Sequence, residues 1–288
     1  RRFQVGAARD YFLGFEAISG IGKQFKSGGR VMKNVTGFDL PKLLAGSFGT
    51  LAAMVSVTVK VLPSPEQIRT VMVFGLNNKV AIQALSEILK GPFEVNGAIH
   101  LPSDISIESS IPYVSSVSSS VTAVRLEGLI PSVDERCHKI RSLWEEYGEV
   151  EELHDMNSSQ FWSEIRDITV LLNNKADQIW RISVPSSEGP VVVSRIRSQI
   201  KCKVFFDWGG GLVWLATDGE LIQASEVIRG ALGPLGGHAT LIRGSQKIRI
   251  ACDVFHPQSD VLHRLTKNLK ANFDPDGILN PGRMYEGI

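Results

Sequence analysis

Between residues 66 and 258 one order of elements occurs twice, and this repeat constrains the fold more than any composition does. Residues 70–74, 95–101, 121–126 and 150–153 read as strands, as Val, Ile and Leu runs bounded by turn residues. A helix at 80–89 lies between the first two, with Ala81, Leu85 and Ile88 on one face and Asn77 or Asn78 as its cap. A second helical stripe, Val133, Cys137, Ile140, Trp144 and Tyr147, advances by alternate steps of four and three. The order is β-α-β-β-α-β, the ferredoxin-like split unit. It returns as strand 179–184, helix 190–200, strands 204–208 and 212–216, helix 221–232 and strand 239–242. The chain is therefore read as α+β, with a cap of two such units joined by a helix near residues 158–165. Residues 115–120, nearly all serine, read as a solvated hairpin loop.

Ahead of this repeat lies a stretch of another character. Gly28, Gly29, Gly37, Gly46 and Gly49 stand close to Asn34, Thr36, Ser47 and Thr50. Glycine lets a backbone approach a ligand and adopt positive φ, and short polar side chains add donors and acceptors without bulk. Such a composition suits a chain that wraps a polar cofactor. Two tight turns joining a short helix to a strand would fit the same spacing. Residues 39–44 read as that helix, with Asp39 as N-cap, Pro41 in the first turn and Gly46 ending it. Val55, Val57, Val59 and Val61 alternate with Ser56, Thr58 and Lys60, the pattern of a half-buried strand. Pro63 and Pro65 close it and mark a boundary. The expected domains are 1–64, the cap at 65–258, and a helix and tail at 259–288 that return to the first part.

Charge and cysteine content narrow the function classes. The formal net charge is +1, which gives no basis for a nucleic-acid or anionic-membrane partner. No apolar run is long enough to span a bilayer. Residues 1–4 are not followed by the apolar core of a signal peptide. Cys137, Cys202 and Cys252 are odd in number and far apart, which favours a reducing cytosol. No CxxC spacing exists for an iron–sulfur cluster. The expectation is a cytoplasmic chain that meets a membrane only through partner subunits.

Two motifs carry a family resemblance. Residues 33–40 (KNVTGFDL) with 44–51 (LAGSFGTL) are similar to the end of the FAD-binding domain in the vanillyl-alcohol oxidase class of flavoproteins. Residues 273–285 (FDPDGILNPGRMY) resemble the closing motif of the same class. The pieces WRISVP at 180–185, DWGG at 207–210 and GGHAT at 236–240 resemble the family of smaller FAD-binding subunits of bacterial glycolate oxidases. The resemblance runs from Arg1 to Tyr285. That family carries its pyrophosphate-binding loop upstream of the position of Arg1, so this chain is expected to be a C-terminal portion. These residues alone are then expected to bind FAD poorly. The family also places a glycine where Ala52 stands.

The resemblance implies an FAD-dependent subunit oxidising glycolate to glyoxylate, beside a larger FAD subunit and an iron–sulfur subunit. It assigns the cofactor to Gly6, Asp10, Asn34, Thr36, Gly37, Gly46, Ser47, Gly49, Thr50 and Asn280. Arg283, beside the Pro281-Gly282 turn, would stabilise negative charge on the reduced ring; its bland reading is a surface salt bridge. A 2-hydroxy acid needs a cation for its carboxylate and a base for its hydroxyl proton. Arg181 would form a bidentate pair with the carboxylate, and His238 would act as base. Either is also readable as structural, Arg181 paired with Asp207 and His238 as a sheet-edge imidazole. Two other functions stay open: a non-catalytic assembly or electron-relay subunit, and an oxidase of another 2-hydroxy acid. Cys252, His256 and His263 make a poor metal set without a carboxylate cluster, so no metal is expected. Gly209–Gly211 fits a hairpin turn better than a phosphate loop, since strands flank it on both sides.

Overall fold

The computed structural model describes residues 6–31, 37–172, 174–175 and 177–288. They form two compact units, Ser64–His256 and the pair Gly6–Pro63 with Pro257–Ile288.

The smaller unit starts with α1 (Ala8–Tyr11), β1 (Phe12–Ser19), β2 (Gln24–Gly28), α2 (Leu40–Leu44) and β3 (Ala52–Val59). The strands pair antiparallel in the order β2-β1-β3. Phe12, Phe15, Ala17, Leu44, Leu51 and Ala52 are buried together against one face. The expectation of a half-buried β3 is corrected. Val55 is 67% and Val57 57% exposed, and Met54 is exposed too. The strand lies at the edge of a three-stranded sheet, and among the described residues these side chains are left uncovered.

The larger unit is one antiparallel sheet of eight strands. Its first half is β4 (Gln67–Phe74), α3 (Asn78–Lys90), β5 (Gly97–Leu101), α4 (Ser103–Ser106), α5 (Pro112–Ser115), β6 (Val121–Gly128), α6 (Ile130–Trp144) and β7 (Val150–His154). After α7 (Asp155–Asp167) the second half follows: β8 (Gln178–Ser183), α8 (Gly189–Arg197), β9 (Cys202–Asp207), β10 (Leu212–Thr217), α9 (Ala224–Leu232) and β11 (His238–Arg243). The strand order β11-β8-β10-β9-β5-β6-β4-β7 is two split β-α-β units laid edge to edge. The halves join where His100 on β5 pairs with Phe206 on β9.

The helical stripes place the helices. Val133, Cys137, Ile140 and Trp144 of α6 are all buried, as are Ala81, Leu85 and Ile88 of α3. The Asn77 side chain accepts from the amides of Lys79 and Val80 and starts α3. Helices α3, α6, α8 and α9 contribute to a core on one sheet face with Val71, Val124, Trp180, Ile182, Phe206 and Leu215. The other face, with Met72, Ile99, Val121, Ile179 and Phe205, packs against Phe161, Trp162 and Ile165 of α7 and against Ile105, Ile111 and Val114.

That second layer corrects the reading of 115–120 as a solvated loop. Ser115 ends α5, and Ser120 Oγ donates to the Leu76 carbonyl while Ser119 O accepts from Ser106 Oγ, both at 2.6 Å. Ser119 and Ser120 thus tie a half-buried segment to the Leu76 turn and to α4, while Ser116 and Ser118 stay exposed as expected. A further short helix, α10 (Gln246–Ala251), precedes α11 (Asp260–Phe273), which belongs to the smaller unit. Among the described residues no helix is long and apolar enough to cross a membrane.

Candidate functional site

In the smaller unit the turn between α2 and β3 has an unusual backbone. Gly46, Phe48 and Gly49 have φ of +92°, +52° and +72°. Only glycine adopts such angles freely, so Phe48 is held there by its surroundings. Thr50 Oγ1 donates to the Ser47 carbonyl at 2.8 Å, and Thr50 N–H reaches the same oxygen at 3.0 Å. Thr50 thus closes the turn from inside, and Ser47 and Thr50 are both buried. At Gly46 a Cβ would meet nothing within 4 Å, so the backbone there borders open space.

The tail meets this turn. Asn280 Nδ2 donates to the Phe48 carbonyl at 2.8 Å. A Cβ on Gly49 would lie 2.8 Å from the same Asn280 nitrogen, which is why glycine stands there. Met284 Sδ lies 4.0 Å from Thr50 Oγ1. Two motifs at opposite ends of the sequence are thereby one structure.

A buried ion pair holds the tail in place. Lys270, in the last turn of α11, is 5% exposed and Asp274 is 1% exposed. Lys270 Nζ donates to Asp274 Oδ2 at 2.6 Å, to Thr50 O at 2.8 Å and to Leu279 O at 2.7 Å. Asp274 also accepts from the amides of Ile278 and Leu279. Burial pushes the Asp274 carboxyl upward, but the bonds from Lys270, Leu279 and Ile278 together outweigh it and hold it below its ordinary value.

The other residues expected at the cofactor divide as follows. Asn34 and Thr36 lie outside the described residues. Gly37 has φ +78° and open space around it. Gly6 has φ +72° and starts a turn in which Asp10 Oδ2 accepts from Ala7 N–H at 2.7 Å, so the Asp10 carboxylate braces its own turn. Arg283 is exposed, and its backbone N–H donates to Asn280 O at 3.1 Å. Among the described residues its guanidinium meets no carboxylate, so the salt bridge weighed for it is absent there.

In the larger unit Arg181 and His238 share one sheet face. Arg181 on β8 pairs with Trp214 on β10 and Thr240 on β11, and His238 pairs with Ser183. Arg181 and His238 are therefore diagonal neighbours, roughly 7–8 Å apart along the sheet. Arg181 is half-buried and its guanidinium carbon lies 5.1 Å from the Trp208 ring centre. Trp208 itself has φ +54°, followed by Gly209 at +59° and Gly210 at +96°. The buried Asp207 carboxylate accepts from Trp208 N–H at 2.8 Å and holds this hairpin turn. The stack fixes the plane of the Arg181 fork. His238 is exposed at the start of β11. His256 is its neighbour: burial first, then Arg229 and His238, depress the His256 pKa, and its Nδ1 faces Ala239 N–H at 3.4 Å.

Three contributors escaped sequence reasoning. Asp274 was legible only as part of the closing motif, and Lys270 stands from it like any exposed i,i+4 pair, so nothing in the sequence marks the two as a buried pair. Trp208 was legible only as part of a motif, without the role of a shelf for Arg181. Among the described residues no three His, Cys, Asp or Glu side chains cluster to hold a metal.

Comparison with known proteins gives consistent results. The chain is 32% identical over 289 residues to glycolate oxidase subunit GlcE of Escherichia coli (strain K12), covering 99% of this chain and 68% of that protein. It is 24% identical over 311 residues to glycolate oxidase subunit GlcD of Bacillus subtilis (strain 168), covering 99% of this chain and 65% of that one. The chain thus spans about two thirds of the length of these relatives. Alkyldihydroxyacetonephosphate synthase superposes with a TM-score of 0.65 at 13% identity, over 96% of this chain and 54% of that one. p-Cresol methylhydroxylase superposes with a TM-score of 0.63 at 12% identity, over 96% and 65%. No family model matches the sequence.

Proposed function

Because the chain belongs to the family of glycolate oxidase subunit GlcE, we propose that it is an FAD-binding subunit of a glycolate oxidase complex, oxidising glycolate or a closely similar 2-hydroxy acid. The observation that carries this is the hydrogen bond from Asn280 to Phe48, which unites the two motifs assigned to the flavin. The residues fit such a cofactor: the Gly46 backbone opens on unfilled space, and three residues of the turn hold positive φ, which lets a backbone approach a ligand closely. Gly37, Gly46, Ser47, Gly49 and Asn280 would hold FAD. Bound FAD supplies two-electron oxidation of the substrate.

The chain's own residues do the rest. Arg181, oriented by Trp208, binds the substrate carboxylate through two parallel N–H donors. His238 takes the hydroxyl proton on an imidazole nitrogen. Arg283 adds a permanent positive charge on the tail. A larger homologous flavin subunit and an iron–sulfur subunit are the partners that pass the electrons on.

The test is to purify the full subunit and measure visible flavin absorbance per protein, in the wild type and in Gly46→Val. Wild type should carry FAD, and the variant, whose side chain fills the space beside the backbone, should carry much less. A wild type that takes up no added FAD would refute the reading.

A further inference from the structure

We propose that Lys270 is a positioning residue for the cofactor turn, setting the peptide plane after Thr50 and the entry of the tail. The inference rests on the reading of residues 46–50 and 280 as the flavin site. Lysine is almost never fully buried unless paired, and a pair with Asp274 alone would satisfy that requirement. Lys270 does more. Its three ammonium hydrogens meet three acceptors, and two of these are the backbone carbonyls of Thr50 and Leu279. Those carbonyls lie on the two segments that the Asn280–Phe48 bond joins.

The geometry has a directional consequence. A trans peptide is planar, so fixing Thr50 C=O toward Lys270 fixes Leu51 N–H on the opposite edge. Fixing Leu279 C=O likewise sets the plane that carries Asn280 N–H. Asn280 has φ +42°, a left-handed angle that asparagine tolerates better than most residues. Asp274 takes the Ile278 and Leu279 amides on its remaining lone pairs, so one buried pair turns the chain from α11 into the tail. A pair serving only to hold the helix would be replaceable by apolar side chains of similar volume. Apolar side chains would leave both carbonyls without their donor.

The experiment compares the wild-type holoprotein with the double variant Lys270→Met/Asp274→Asn, which leaves no unpaired buried charge. FAD dissociation constants and visible flavin spectra are measured, with the thermal transition of each protein. The variant is expected to bind FAD about tenfold more weakly or worse, with a shifted flavin band and a cooperative thermal transition. A dissociation constant within about twofold and an unchanged spectrum would overturn the inference while leaving the flavin site intact. A wild type that binds no FAD would overturn the proposed function, and this inference with it. Should the variant fail to fold, hydrogen exchange on the wild type decides. Added FAD should slow the amides of residues 48–51 and of Leu279, Asn280, Gly282 and Arg283 together, and protection of one segment without the other would overturn the proposal.

Discussion

Asn280 donates its side-chain amide to the carbonyl of Phe48 at 2.8 Å, across 232 positions of sequence. Both adopt positive φ without being glycine, an angle asparagine tolerates and phenylalanine rarely takes. Each is held by the other segment. The turn and tail therefore stand or fall together.

Gly49→Ala tests that dependence. The new Cβ would press on Asn280 Nδ2, and the backbone at φ +72° disfavours any side chain. The substitution should cost about 1–3 kcal/mol and lower FAD occupancy. Urea denaturation with flavin absorbance checks both, and unchanged stability would show that the tail does not rest on the turn.

Arg181→Lys keeps the charge but loses the planar fork stacked on Trp208. Binding of the 2-hydroxy acid should weaken about tenfold, with FAD content unchanged. Trp208→Leu should act in the same direction by freeing the fork. Substrate titration followed by flavin reduction is the measurement, and equal affinity in wild type and Arg181→Lys would remove Arg181 from the site.

Acid should loosen the smaller unit through Asp274. Its pKa is held below the ordinary value by Lys270 and two backbone amides. A depressed carboxyl contributes stability that is complete above its unfolded value of about 3.9 and is lost as pH falls below it. Exchange of the Ile278 and Leu279 amides should accelerate in that range in the wild type. Acceleration already near pH 6 would point to another group.

The larger unit should respond at a higher pH through His100. Burial depresses its pKa to about 3, while its ring bridges Thr122 Oγ1 at 2.9 Å and Asn78 Oδ1 at 3.0 Å. It folds neutral, so its contribution is complete above the unfolded value of about 6.5 and falls by roughly 1.4 kcal/mol per pH unit below it. The loss continues toward pH 3. Denaturant titrations of wild type and His100→Gln between pH 8 and pH 5 check this, and the variant should show a shallower slope over the His range.

Periodicity made much of this molecule legible. The four-and-three spacing of Val133, Cys137, Ile140 and Trp144 marks a helix because a buried stripe must recur at that interval. The glycines at 46 and 49 were readable because positive φ has few other solutions. Lys270 was not, since burial of a charge depends on partners distant in sequence, and Thr50 lies 220 positions away. Nor was the exposure of Val57, because an alternating strand looks the same whether or not another element covers its face. The serines at 119 and 120 read as solvated, yet they are half-buried and bonded to Ser106 and Leu76, partners distant in sequence that composition does not reveal.

The most direct measurement is anaerobic addition of glycolate to the purified, FAD-loaded subunit without its partners, following the visible flavin absorbance. Glycolate should bleach the flavin of the wild type, and the titration should shift rightward in Arg181→Lys. Flavin that stays oxidised with glycolate, and with other 2-hydroxy acids, would contradict it.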